Sequence, residues 1–180
     1  FENNDSSESI PFLLSENNIY IAVKIQGEEH YWILDSGADI SVIDMDYADK
    51  MGLIAQGKLS GNTTNHLVEY NYVKLPEYQI KGVKLFDQTL LSYKGLANNF
   101  FEPDAVGILG YDFLSRFITK IDYAKQTLSF FQPQHFSYKG AGNKITSPLQ
   151  NKFFMLPVII NEQHQGNYAM DLGSFNVSMN

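Results

Sequence analysis

The sequence predicts a mostly β chain punctuated by short helices. Short alternating runs rich in β-branched and aromatic residues, helix-forming stretches that stop early, and turn-forming steps between them carry that prediction. With 44% hydrophobic and 14% aromatic residues, the 180-residue chain has ample material for a core and is not intrinsically disordered.

The polar opening predicts a disordered tail over residues 1–9. Residues 18–27, containing Ile-Tyr-Ile-Ala-Val-Lys-Ile, and residues 30–34 read as strands. Residues 44–51 lack Gly, Pro and β-branched side chains, and Gly52 follows where a helix terminator sits, so a short helix is expected there. Strands return over residues 68–92, with turns expected at Gly82 and at Phe86-Asp87-Gln88. A second short helix is expected over residues 112–117, and a closing hairpin over residues 121–131 turns at Asp122-Tyr123-Ala124-Lys125. Residues 133–149 lose apolar periodicity and predict a linker between a unit at 10–132 and a second, truncated one at 150–180.

That second stretch repeats the first. Val158-Ile159-Ile160-Asn161, a polar turn and Tyr168-Ala169-Met170-Asp171-Leu172-Gly173-Ser174 echo Val23-Lys24-Ile25-Gln26, a polar turn and Trp32-Ile33-Leu34-Asp35-Ser36-Gly37-Ala38. Twelve residues separate Val23 from Asp35, and thirteen separate Val158 from Asp171.

Composition removes several classes of function. A net charge of -7 with a single arginine, Arg116, suits no row of phosphates, so nucleic acid is not an expected partner. The longest apolar run, 153–160, is broken by Pro157 and is far below the roughly 20 residues of a membrane span. Without cysteine there is no disulfide, thiolate metal site or cysteine nucleophile, and the redox compartment stays open. The start at Phe1 favours an exported protein over a cytoplasmic one. His30, His66, His135 and His164 show no metal-ligand spacing, and Asp39, Asp44, Asp46 and Asp49 lack the pattern of a calcium loop, so no metal or cofactor is expected. No Gly-x-Ser-x-Gly elbow suggests a serine hydrolase. Asp112 and Asp122 read as a helix cap and a turn.

Chemistry is left to carboxylates. A hydrophobic strand running into Asp35-Ser36-Gly37 displays a carboxylate on a tight turn, where glycine supplies backbone freedom and serine a hydroxyl. Farther on, Ile108-Leu109-Gly110 is a second apolar pair ending in glycine. Together with Ala38 and Ser41, these segments resemble the retropepsin-like aspartic proteases, in bacterial members of which the stretch Gly107 to Leu114 followed by Ile121-Asp122-Tyr123 has its like. The resemblance covers roughly residues 10–132 and implies a retropepsin- or pepsin-like acid-protease β-barrel lobe. It also implies a flap hairpin, matched by position to residues 58–72 with Gly61, Asn62, Thr63 and Thr64 at its tip. Asp171-Leu172-Gly173-Ser174 resembles the equivalent turn of a second lobe, as in pepsin-like enzymes, with Leu172 replacing the family's cross-turn hydroxyl.

The resemblance implies a peptide or protein substrate and water activated between two carboxylates, because attack needs a base and the carbonyl an acid at once. Asp35 is one; the other is Asp171 in cis or Asp35 of a second subunit in a homodimer. The repeat favours the cis arrangement, with the chain a fragment or processed form of a longer two-lobe protein and weakly active or inactive alone. The alternative is a catalytically inactive module that binds peptides or assembles with another chain.

Overall fold

The computed structural model describes residue 1, residues 9–62 and residues 67–174. The strands are β1 (Ile10–Pro11), β2 (Leu13–Ser15), β3 (Asn18–Ile25), β4 (Glu28–Leu34), β5 (Val42–Asp44), β6 (Ala55–Asn62), β7 (Leu67–Ile80), β8 (Val83–Tyr93) and β9 (Ala105–Leu109). They continue with β10 (Ile118–Asp122), β11 (Thr127–Phe131), β12 (Leu149–Gln150), β13 (Phe153–Ile160) and β14 (His164–Met170). The helices α1 (Met45–Lys50) and α2 (Tyr111–Leu114) are each short. Of the expected tail, all but Phe1 and Ser9 lies outside the described residues, as do Thr63, Thr64 and His66.

Eight strands form one sheet in the order β2-β3-β4-β9-β5-β8-β7-β6. An added pairing of Lys24 in β3 with Gln79 in β7 draws distant strands together and curls the sheet toward closure. β9 lies between β4, to which it is parallel, and β5, to which it is antiparallel. Parallel neighbours end at the same edge, so the register Leu34↔Leu109 delivers the turns after β4 and after β9 side by side. Two smaller sheets, β1-β11-β10 and β12-β13-β14, complete the chain.

The core follows the alternation seen in the sequence. Ile19, Ile21, Val23 and Ile25 of β3 join Trp32 and Leu34 of β4 in one buried cluster with Leu75, Ile80 and Phe113. Trp32 stacks on Tyr78 with ring centroids 6.3 Å apart, and its other neighbour is the backbone of Gly107, where any Cβ would run into the indole. α1 begins where Asp44 accepts hydrogen bonds from the Asp46 and Tyr47 amides, at 3.0 and 3.2 Å, and stops before Gly52, whose φ of 70 only glycine adopts freely.

Two expectations need correction. Phe86-Asp87-Gln88 is no turn: β8 runs through it, paired Glu77↔Phe86 and Leu75↔Gln88. Asp87 takes a φ of 52 across from Pro76, which has no N–H to offer the ladder, so the irregularity is local. The hairpin β10–β11 begins at Ile118, ahead of the expected 121, because the polar Thr119 and Lys120 still pair with Phe130 and Ser129.

β3–β4 and β13–β14 are hairpins of matching strand length, 8 and 7 residues in each. Gln26 and Gly27 close the first, and Asn161, Glu162 and Gln163 close the second, which accounts for the extra residue before Asp171. Their surroundings differ. Trp32 and Leu34 are fully buried, whereas Met170 and Ile159 are 37% and 61% exposed.

Candidate active site

Asp35 follows β4 directly. Its amide donates to the Leu109 carbonyl at 2.9 Å, and its carboxylate accepts from the Gly37 amide at 2.7 Å and from the Ala38 amide. Asp171 follows β14 in the same manner, with the Gly173 amide donating to its Oδ1 at 2.9 Å. The two turns face each other. A Cβ on Gly37 would lie 2.6 Å from the Asp171 carboxylate, and one on Gly173 would run into that of Asp35. Gly37 has no left-handed φ, so glycine serves here for close approach and not for the backbone freedom the sequence suggested.

The structure therefore brings the Asp35 and Asp171 carboxyls together within one chain, each lying against the glycine of the other's turn. Burial first, and then the Asp171 charge, push the Asp35 carboxyl up to about 7.

The turns are also stitched together by Ser36. Its buried hydroxyl donates to the Met170 carbonyl at 2.8 Å and accepts from the Leu172 amide at 3.0 Å. Leu172 returns no hydroxyl, and its side chain packs against the main core. Ser174 is exposed at the end of the described residues.

Behind the first turn, the buried Ser41 hydroxyl accepts from the Gly110 amide at 3.0 Å and donates to Asp112 Oδ1 at 2.7 Å; the Ser41 amide also donates to that oxygen, at 2.7 Å. Asp112 is thus no helix cap. It ties α2 to the Asp35 turn, and Tyr111, whose amide donates to the Ala38 carbonyl at 2.8 Å, adds a second tie. Ile108 and Leu109 line up beside Ile33 and Leu34 in the parallel pair. Sequence reasoning missed Asp112 and also Asn18, whose side-chain amide reaches the second turn; neither carries a local signal beyond that of a capping or turn residue.

The model of the aspartyl protease family matches residues 21–113, more than half the chain. The chain belongs to the aspartyl protease family. That span includes the Asp35 turn, Ser41, the Ile108-Leu109-Gly110 segment and Asp112. No curated protein sequence matches the chain. Among solved structures, a retropepsin-like aspartic protease from Rickettsia conorii is similar in fold, with 18% identity, 72% of this chain and 95% of that chain covered, and a TM-score of 0.50. The retroviral protease-like domain of Ddi1 from Leishmania major matches at 16% identity over 64% of this chain and 94% of that chain, with a TM-score of 0.44.

In this aspartyl protease chain, a cavity of about 410 Å³ opens beside the Asp35 turn. Gly37, Ala38, Asp39 and Ile40 form one wall, Leu59, Gly61 and Tyr70 of the β6–β7 hairpin form another, and Phe153 of β13 closes an end. Gly61 and Asn62 end β6, at the expected flap tip. Lys152 pairs with Asp39 at 3.5 Å across the cavity's rim, joining the turn before β13 to the first aspartate turn. Among the described residues no group of three His, Asp or Glu side chains could hold a metal ion.

Proposed function

We propose that this chain is an aspartic endopeptidase whose dyad is Asp35 and Asp171 in cis. The carrying observation is the close approach of the two carboxyls, each set against the glycine of the other's turn, with that of Asp35 raised to about 7. In the ionised carboxylate lies a base that takes a proton from water, and in its protonated partner an acid that donates to the scissile carbonyl oxygen. The water oxygen then bonds to the carbonyl carbon, giving a gem-diol. The dyad then gives its proton to the amide nitrogen and takes one from a gem-diol hydroxyl as the C–N bond breaks, which releases amine and carboxylic acid and leaves the dyad again holding one proton.

The cavity fits an apolar substrate side chain, since Ala38, Ile40, Val42, Leu59, Tyr70, Leu91 and Phe153 supply most of its lining, and the β6–β7 hairpin is placed to act as the flap. Residues 150–174 serve as the opening of a second lobe. Support comes from the matched hairpin lengths and from apolar residues of β13 and β14 that lack the cover β9 and β7 give the first hairpin, among the described residues. That cover would come from further strands or from a second copy of the chain.

The test is cleavage of an unfolded protein with pepstatin as inhibitor across acidic to neutral pH. Activity should need one proton on the pair, so kcat/KM should fall as pH rises through about 7 and fall again when both carboxyls are protonated. A second reading, a non-catalytic peptide-binding or assembly module, is favoured by Leu172, which leaves the cross-turn grip one-sided. Absence of any pepstatin-sensitive cleavage by the folded chain would support it. Gly37→Ala offers a finer check: the added methyl meets the Asp171 carboxylate at 2.6 Å and should separate the pair, lowering kcat about a hundredfold with the fold intact. Unchanged kcat would contradict the close approach.

A further inference from the structure

We propose that Asn18 is the positioning residue of the second aspartate turn, its side-chain amide holding the Leu172 and Gly173 carbonyls in place of the hydroxyl that this turn lacks. The inference rests on the dyad reading above and adds a residue to it. In the grip between the turns, Ser36 spans the backbone on either side of Asp171, reaching the Met170 carbonyl and the Leu172 amide. The same geometry read from the other turn would send a hydroxyl at position 172 to the backbone flanking Asp35. Leu172 provides none and turns its side chain into the core. Ser36 alone leaves the far side of the second turn unheld.

Asn18 occupies that side. It is 2% exposed, and its Nδ2 donates to the Gly173 carbonyl at 3.0 Å and lies 3.5 Å from that of Leu172. Its backbone is fixed at the head of β3 by pairing with Ser15, directly after the Glu16-Asn17 turn, so the amide is presented from a rigid strand. A neutral donor is the group the place requires. An aspartate would set negative charge against two carbonyls, and a cationic side chain would favour the ionised form of the nearby Asp35 carboxyl. In so dry a position, water would not readily replace a lost donor.

The test uses the full chain. Carboxyl carbon NMR follows the titration of Asp35, and hydrogen exchange follows the Leu172 and Gly173 amides, which close on Ser36 and Asp171. Asp171 is the titratable group that acts on Asp35, so a loosened second turn should let Asp35 ionise more easily. Asn18→Ala should lower the Asp35 midpoint by about one pH unit and speed exchange of those two amides at least about tenfold, while amides of β4 keep their protection. Adding Leu172→Thr to Asn18→Ala should restore at least half of both effects, which a general loss of stability would not allow. Should Asn18→Ala fail to fold, Asn18→Ser, with a shorter donor, should show the same changes at smaller size. An unmoved midpoint with unmoved exchange in a folded variant overturns the proposal, as does acceleration spread evenly over β4. If Asp171→Asn leaves the wild-type Asp35 titration unchanged, the dyad reading itself has failed and this proposal falls with it.

Discussion

Asp35→Asn should lower hydrolysis by roughly a thousandfold or more while leaving the chain folded and, at neutral pH, more stable than the wild type. Asparagine keeps the shape and can still accept from the Gly37 amide, but it cannot exchange a proton with water. For stability the sign is fixed by the raised Asp35 carboxyl. The folded state keeps a proton there up to about 7, whereas the unfolded chain releases it near an ordinary carboxylate value, about 4. The stabilisation this supplies is complete below about pH 4 and is lost as pH rises through about 7. Neutral-pH wild type therefore carries a penalty on the order of 1–4 kcal/mol that Asp35→Asn removes. Urea unfolding at pH 4 and pH 8 measures it, and wild-type turnover by the variant would end the assignment. Asp171→Asn extends the test. In a cis dyad it is as damaging as Asp35→Asn, whereas in a homodimer that pairs two copies of Asp35 it is harmless.

Gly110→Val should cost about 3 kcal/mol or more and lower the melting temperature by roughly 10 °C. A Cβ at this position would sit 2.7 Å from the Ala38 carbonyl oxygen and 3.0 Å from the Ile40 carbonyl carbon. Both are backbone atoms, so no side-chain rotation relieves the contact. The displaced chain is also the one whose Gly110 amide donates to Ser41 and whose Leu109 carbonyl receives the Asp35 amide, so the damage should reach the aspartate turn. Differential scanning calorimetry decides it. A melting temperature equal to that of the wild type would show that the segment has slack the structure does not display.

What the sequence made legible is what depends on near neighbours. β3 and β4 were readable because their apolar residues alternate, and α1 because a stretch free of Gly, Pro and β-branched residues runs up to Gly52. The Asp35 turn was readable because strand, carboxylate and glycine are contiguous. Even the odd residue between the two hairpins was visible as a difference in spacing, although only the register shows that it sits in the turn. What was hidden depends on partners far along the chain. Asn18 meets Gly173 across 155 positions, and Asp112 meets Ser41 across 71. Locally each is an ordinary polar residue beside a turn or at a helix start, and no period or propensity marks it. The Phe86-Asp87-Gln88 step misled for the opposite reason: a strong local turn signal was overridden by the long ladder with β7.

The chain has one tryptophan, and Trp32 is fully buried in β4, stacked on Tyr78. It is thus a built-in optical reporter with a narrow field of view. Its emission should shift to the red when the eight-stranded sheet opens, and it should stay silent while β12, β13 and β14 come apart, because nothing in that sheet fluoresces at its wavelength. Fluorescence and far-ultraviolet circular dichroism, followed in the same denaturant series, will trace one curve if the aspartate-bearing hairpin melts with the rest, and two if it peels away first.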